Sequence, residues 1–319
     1  MSTTTVERGL SRMRGGVEAA LSGKGIFVAL LIILVLALIL APNFFAPVNI
    51  SNTLRRASIL GLLTIGQMLV LMVRGVDLSV AAMVGITGVA LTNTPNVPTG
   101  LAIALVIAVL VGSANSWLVV RRGVPAFVAT FGMVMVLEGA KLLWTRGALS
   151  GEAPDVLVDT ARGAVGPIPL PLVFWVVATI VVSMWTQRTV PGRNLVISGA
   201  SPEMARLSGV AVGRLQWLAF TLAAVLAVAA GALQTGFSGY IDRSIGVGME
   251  LDSITAALLG GARFKGGEGS FVAAMGGVLV LSALFTLIVV LGLPPALQNI
   301  LKGVVLILAL TLHLPGRRR

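Results

Sequence analysis

The sequence has no cysteine and only one histidine, and both shortages restrict the chemistry that the chain could perform. Without cysteine there can be no disulfide framework, no thiolate metal site and no catalytic thiol. The single histidine, His313, lies just before the final Gly-Arg-Arg-Arg. Neither a histidine-dependent catalytic triad nor a His-Glu-x-x-His zinc site can therefore form within the chain, and we expect no catalytic residue and no bound metal.

Charge is also scarce, and most of it is of one sign. Only 11% of the residues are charged, with 12 acidic against 23 basic side chains and a net charge of +11, whereas 56% are hydrophobic and the mean hydropathy is +0.99. This composition excludes a soluble globular domain. A basic chain can indicate nucleic-acid binding, but here no aromatic residues are interleaved with the basic ones. We expect contact with anionic membrane lipid and no nucleic-acid partner.

Apolar runs of about membrane length recur along nearly the whole chain. Several of them are short or rich in glycine, which a membrane tolerates only where protein covers the backbone. The pattern predicts an all-α polytopic membrane protein with about ten transmembrane helices, some of them short or broken. The predicted spans are residues 25–42, 57–73, 77–92, 99–120, 126–145, 169–187, 215–236, 249–262, 271–291 and 296–314.

Most of the 23 lysines and arginines lie in gaps on one side of these spans, for example at 121–122, 188–214 and 263–265. Basic loops stay in the cytoplasm, so we expect a multi-pass protein with both termini cytoplasmic. The predicted organisation is a cytoplasmic N-terminal segment at 1–24, a single transmembrane domain at 25–314 that contains the long cytoplasmic loop 188–214, and a basic cytoplasmic tail at 315–319.

Two kinds of glycine-containing segment suggest further structure. Segments 75–79 and 248–252 each open a short, small-residue span, and the two spans run in opposite directions. This suggests an inverted repeat, a common feature of transporters. Segment 260–270 is rich in glycine, but Lys265 precedes Gly266 and no Gly-Lys-Ser/Thr follows, so it is not a phosphate-binding loop. We expect the chain to hold no nucleotide of its own.

Polar residues inside the predicted spans are candidates for a translocation path. Glu138 and Lys141 are three residues apart on one helix, so they share a face and can pair. An unpaired charge near mid-bilayer costs about 2.5–3.5 kcal/mol on insertion scales, so the two either line a wet path or form a structural ion pair. The sequence leaves both readings open. Further candidates for the path, with interhelical hydrogen bonding as the alternative, are Asp77, Ser79, Asn115 and Gln298.

Five motifs, in order from about residue 43 to the C-terminus, resemble the permease subunits of bacterial ABC sugar importers of the ribose-type branch. Segment 66–79 ends in Arg-Gly-Val-Asp-Leu-Ser, similar to the family's Gly-Gly-Ile-Asp-Leu-Ser, with Arg74 in place of the first glycine. Segment 199–210 is similar to the family's Gly-x-Asn-x-x-Ala-Ala-x-x-Ser-Gly-Ile, with Ser201 in place of the asparagine. Segment 49–54 belongs to the same motif as 66–79, and the other three similar segments are 125–133, 250–269 and 298–303.

In that family, two permease copies form the pore, two cytoplasmic ATPase subunits bind ATP and drive it, and a periplasmic binding protein delivers the sugar. The resemblance therefore implies a passive permease subunit of the bacterial inner membrane, without cofactor or ATPase site, that imports a monosaccharide or related polyol. A homodimer of permease copies is the expected pore.

The resemblance also assigns a coupling role to part of the loop 188–214. Pro202 suits a helix start, Glu203 favours its first turn and Gly209 suits its end. A short helix there could dock on an ATPase; without the resemblance it would be interpreted as an amphipathic helix lying on lipid. The residues expected to couple to the ATPase are Ser201, Pro202, Glu203, Ala205, Arg206 and Gly209.

Alternatives remain for both substrate and mechanism. The same machine could import nucleosides or branched-chain amino acids, whose permeases share the Asp-Leu-Ser and Gly-Gly patterns, although segment 125–147 favours the sugar branch. An ion-coupled secondary transporter would need an intramembrane coupling carboxylate, and Glu138 is the candidate that the sequence provides. The external loop 147–168 carries the acidic residues Glu152, Asp155 and Asp159. These acids either form a contact surface for a binding protein or serve only solubility, and the length of the loop favours contact.

Overall fold

Helices make up nearly all of the regular structure in residues 24–148 and 151–313, which are the residues that the computed structural model describes. The helices are α1 (Lys24–Leu40), α2 (Pro47–Met72), α3 (Ser79–Thr92), α4 (Val97–Ser116), α5 (Ala126–Trp144), α6 (Asp155–Arg162), α7 (Leu170–Arg188), α8 (Val190–Ala200), α9 (Pro202–Leu207), α10 (Val212–Ser238), α11 (Met249–Leu259), α12 (Phe271–Val290) and α13 (Pro295–His313). A 3₁₀ turn (Pro42–Phe45) precedes α2, a π-helical turn (Trp117–Arg121) extends α4, and strands β1 (Ala164–Val165) and β2 (Ile168–Pro169) pair antiparallel. The predicted tail 315–319 and all of the predicted N-terminal segment except Lys24 lie outside the described residues.

Each of the ten predicted spans falls on one helix. Within the described residues, six helices are long and apolar enough to cross a membrane, namely α2, α4 with its extension, α5, α7, α10 and α12. The other four predicted spans fall on α1, α3, α11 and α13. Helix α3 has 14 residues and α11 has 11, so they are about 21 and 17 Å long, shorter than the roughly 30 Å hydrocarbon core. The prediction of an all-α polytopic membrane protein with some short helices is confirmed.

Helices α2 and α3 form the centre of the bundle. Every residue of α2 from Ala57 onward and of α3 from Ser79 to Leu91 is buried. Small residues allow this density, because a side chain on Gly66 would collide with the backbone of Ala223 in α10. Helices α4, α5 and α7 instead expose apolar side chains along much of their length, as expected of helices that face lipid.

The helix packing follows a two-fold pattern. Helix α2 packs against α10, α11 and α12, and α10 correspondingly packs against α2, α3 and α4. Within each half, α3 contacts α4 and α5 just as α11 contacts α12 and α13. This reciprocity supports the inverted repeat suggested by the sequence, with α2–α5 as one unit and α10–α13 as the other.

An Asp-x-Ser turn occurs in both units. The Asp77 carboxylate accepts hydrogen bonds from the backbone amide and hydroxyl of Ser79, at 2.8 and 2.5 Å. In the second unit, the Asp242 carboxylate accepts the same two bonds from Ser244, at 2.7 and 2.6 Å. Segments 75–79 and 248–252 nevertheless both lie at the start of a short helix, since α3 begins at Ser79 and α11 at Met249. An Asp-x-Ser turn is a local hydrogen-bonding unit that recurs regardless of its neighbours, so the two turns do not fix the register between the units.

Candidate functional site

Two ends of the bundle carry the candidate sites. The basic face is the end where α2 ends, helices α8 and α9 lie, and segment 260–270 turns. The opposite face is formed by residues 145–148, 151–168 and 239–248. Hydrogen bonds join Arg74 to Gly199 on the basic face and Arg162 to Phe237 on the opposite face, so each face is a connected surface of several loops.

The segment 188–214 contains helices α8 and α9. The Thr189 hydroxyl accepts from the Gly192 amide and caps α8, whereas α9 has Pro202 and Glu203 in its first turn and ends before Gly209, which has a φ of +78°. Glycine adopts this left-handed backbone without steric cost. Helix α9 packs against the rest of the chain through Ala205, which is 1% exposed. The structure places the six predicted coupling residues together on one short surface helix and its flanks, with Ser201, Glu203, Arg206 and Gly209 accessible to a partner.

Helix α9 also presents large apolar side chains that packing within the chain does not use. Met204 is 62% exposed and Leu207 is 80% exposed. They flank the buried Ala205 and stand beside Glu203 and Arg206. Apolar side chains surrounded by charged ones are typical of the centre and rim of a protein contact.

Asp77, Ser79 and Asn115 form one buried polar cluster. The Asn115 amide donates to the Ser79 hydroxyl at 2.9 Å, and Ser79 in turn donates to Asp77. The Gln67 side-chain amide pairs with the backbone of Asp77, donating to its carbonyl at 2.9 Å and accepting from its N–H at 3.3 Å. These contacts join α2, the turn before α3, and α4. The cluster therefore holds the start of the short helix α3 in place.

Glu138 and Lys141 form an ion pair with 2.7 Å between Lys141 Nζ and Glu138 Oε1. The lysine side chain is 2% exposed and that of Glu138 is 41% exposed. Lys141 lies against Gly85 of α3, where any side chain would collide with its ammonium. The ammonium is thus enclosed between α5 and α3, and Glu138 is the acidic partner that the structure shows for it.

A cavity of about 370 Å³ lies toward the opposite face, between the ends of α2 and α10, the loop 239–248, and helices α11 to α13. Gln298, one of the predicted path residues, lines it. The Arg56 guanidinium lies 5.7 Å from the centre of the Phe237 ring at its wall. Its other polar lining residues are Gln234, Ser238, Tyr240, Asp242, Ser244, Asp252, Ser282 and Thr286.

The cavity combines groups of different chemistry. Hydroxyls, amides, carboxylates and a guanidinium are interspersed with phenyl and phenol rings, and the volume is at the small end of the range for small-molecule sites. Such a lining suits a small solute with many hydrogen-bonding groups. Arg56 and Tyr240 did not stand out in the sequence; the available signal was an arginine pair, Arg55 and Arg56, directly before an apolar run.

The loop 147–168 is structured in its described part. Arg162 donates to the carbonyl of Phe237 at 3.1 and 3.0 Å, and Arg55 donates to the carbonyl of Arg162 at 2.6 Å. A side chain on Gly236 would collide with the Leu157 carbonyl, so α6 lies directly against α10. The acidic side chains predicted for this loop, Glu152, Asp155 and Asp159, are exposed. The backbone of Glu152 is bridged to that of Tyr240, which lines the cavity.

Comparison with known proteins gives a consistent result along the chain. The family described as "Branched-chain amino acid transport system / permease component" matches residues 49–310. The autoinducer 2 import system permease protein LsrC of Enterobacter sp. (strain 638) is 34% identical over 92% of this chain and 86% of its own length. The ribose import permease protein RbsC of Escherichia coli (strain K12) is 29% identical over 97% and 98%.

The L-arabinose ABC transporter permease protein AraH of Azospirillum brasilense is 28% identical over 94% of this chain and 89% of its own length. No solved structure matches the chain. The family match covers both halves of the two-fold bundle, the segment 188–214 and the polar cavity. The chain therefore belongs to the family of permease components of branched-chain amino acid transport systems and is a multi-pass membrane permease subunit.

Proposed function

We propose that this permease imports a monosaccharide or related polyol as part of an ATP-driven importer. The observation that carries the proposal is the polar cavity near the opposite face. Its mixed lining offers donors and acceptors on several sides, as a polyhydroxylated solute requires, and its rings offer apolar faces. The names of relatives at 28–34% identity, which are permeases for ribose, L-arabinose and autoinducer 2, support the same substrate class.

The proposed orientation puts the basic face in the cytoplasm and both termini with it. Helix α9 then faces a separate ATPase subunit, which binds the ATP, since the sequence has no phosphate-binding loop. The opposite face then receives a periplasmic binding protein, with the exposed acids of α6 as part of the contact surface. A second permease copy completes the pore as a homodimer.

Transport should depend on the complete machine. In proteoliposomes, the permease alone should accumulate no labelled ribose or arabinose under a proton or sodium gradient, because Glu138, the candidate coupling carboxylate, is already paired with Lys141. Addition of the ATPase, the binding protein and ATP should give accumulation. Gradient-driven uptake by the isolated chain would instead indicate an ion-coupled transporter, and competition by leucine or a nucleoside would change the substrate class.

Two glutamines of the cavity should be needed for uptake. Gln234→Leu and Gln298→Leu should each lower the rate about tenfold or more, because a site that hydrogen-bonds its solute is left with fewer partners, at about 1–3 kcal/mol for each group. Initial uptake rates by the assembled importer measure this.

Gln187→Leu is the matched control. Gln187 bonds to Ser183 at 3.0 Å just as Gln234 bonds to Ser238 at 3.1 Å, four residues apart in both cases, but Gln187 lies at the other end of the bundle. The importer with Gln187→Leu should take up solute at the rate of the unaltered chain. Equal rates for all three variants would remove the cavity from the transport path.

A further inference from the structure

We propose that Arg74 is a positioning residue that ties the α8–α9 segment to the turn before α3, so that movement of α9 reaches the centre of the bundle. This inference rests on the proposed function, in which α9 contacts an ATPase. Arg74 touches neither the polar cavity nor the predicted coupling residues, and its role is mechanical.

Arg74 holds the C-terminal end of α8 at two points. Its Nε donates to the Gly199 carbonyl at 2.6 Å, and its Nη2 donates to the Ala200 carbonyl at 2.9 Å. The last carbonyls of a helix have no partner within the helix and carry partial negative charge, so a guanidinium is well matched to them. The next residues along the chain are Ser201 and Pro202, where α9 begins. Arg74 is therefore attached directly to the base of α9.

The backbone of Arg74 is in a conformation that arginine does not favour. Its φ is +66°, in the left-handed region that glycine adopts without steric cost and in which other residues are strained. A strained residue persists where the surroundings hold it, and here the two hydrogen bonds to α8 do so.

The junction around Arg74 is too tightly packed for its parts to move independently. A side chain on Gly199 would overlap the Met72 carbonyl, and the Gly267 amide donates to that same carbonyl at 2.9 Å. A side chain on Gly267 would in turn collide with Ala200. The end of α8, the end of α2 and the glycine-rich segment 260–270 thus meet at one point.

That point is close along the chain to both short helices, α3 and α11. Arg74 lies three residues before Asp77, whose hydrogen bonds to Ser79 hold the start of α3. Segment 260–270 follows α11 directly. A displacement of α9 by a docked ATPase would therefore be passed through Arg74 and its neighbours to α3 and α11 together. These are the helices that border the buried polar cluster and the cavity.

Arg74→Gly tests this role, because it removes both hydrogen bonds and also removes the strain. The matched control is Arg193→Ala, since Arg193 also donates to two carbonyls at a helix end, those of Gln187 and Arg188, but at the end of α7. Both variants are assembled with ATPase and binding protein, and ATP hydrolysis and uptake are measured on the same vesicles. Arg74→Gly should keep thermal stability and ATP hydrolysis within about twofold but lower the uptake per ATP about tenfold, a usual size for coupling between two sites. Arg193→Ala should match the unaltered chain in both.

Other outcomes would overturn the proposal. Unchanged uptake per ATP would show that Arg74 transmits nothing, and loss of ATPase association would show that it serves assembly. Arg74→Asn provides a second variant, because asparagine tolerates a positive φ but is too short to reach α8; if neither variant folds, Arg74 is only structural. Failure of the proposed function would be visible separately, as absence of ATP-driven uptake by the unaltered chain.

Discussion

Replacing Glu138 by glutamine should destabilise the folded chain more than replacing Lys141 by methionine. The first change leaves the Lys141 ammonium, 2% exposed, without its carboxylate partner. An unpaired charge inside the membrane costs about 2.5–3.5 kcal/mol on insertion scales, and breaking a buried pair from one side costs about 3–5 kcal/mol. The second change removes the buried charge and leaves Glu138, which is 41% exposed and can stay partly hydrated. Because Lys141 is far more buried than Glu138, losing the glutamate charge should cost more stability than losing the lysine charge.

Thermal unfolding of the detergent-purified variants measures the order. The double variant Glu138→Gln with Lys141→Met should recover most of the stability lost by Glu138→Gln alone, since neither side chain is then left charged. The charge-swapped pair should recover less, because it buries a carboxylate where the lysine lay. Equal losses for both single variants, or no recovery in the double variant, would contradict a structural pair.

The double variant also distinguishes between the two roles that the sequence left open for Glu138 and Lys141. If the residues line the transport path, the double variant should be stable but inactive. If they form a structural pair, it should be stable and transport solute. We expect the second result, because the Lys141 ammonium is enclosed against Gly85 and neither residue lines the polar cavity.

The ten apolar helices and their order could be predicted from the sequence because hydrophobic runs are a local signal. Where a helix extends beyond its apolar run, the predicted end of the span does not coincide with the end of the helix. Helix α2 begins at Pro47, ten residues before the predicted span at 57, because its first turns contain polar residues such as Asn49 and Arg55. Helix α6 was not predicted at all, since an eight-residue amphipathic helix between two spans has too few apolar residues to stand out.

The site residues were predictable only where one segment carries them. The surface helix α9 was predicted from Pro202, Glu203 and Gly209, which are neighbours in sequence. Arg74 and Gly199 are 125 residues apart, so no spacing or periodicity links them. The cavity likewise collects residues from α2, α10 and α13, of which the sequence indicated Gln298 as a path candidate. Contacts of this kind are decided by tertiary packing, which only the fold supplies.

Helix α9 yields the second large expected effect. Met204→Asp combined with Leu207→Asp should abolish association with the ATPase and therefore uptake. Both side chains are mostly exposed, so the chain itself should fold and insert normally. Each apolar side chain buried at a contact contributes about 1.5–3 kcal/mol, so losing two should weaken association about a hundredfold or more. Co-purification of the ATPase with the permease, and the concentration of ATPase needed to restore uptake, measure the change.

Val165→Asp is the control for this pair of changes. Val165 is 66% exposed in β1, on the opposite face, so the substitution adds the same charge to a comparable apolar surface away from α9. It should leave ATPase association intact. If α9 instead lies on lipid, the double aspartate variant should bind the ATPase normally and lose thermal stability in lipid, because two charges would then be pressed against the membrane. Normal association together with normal uptake would remove α9 from the coupling surface, since no docking contact could accept two carboxylates at its centre without loss.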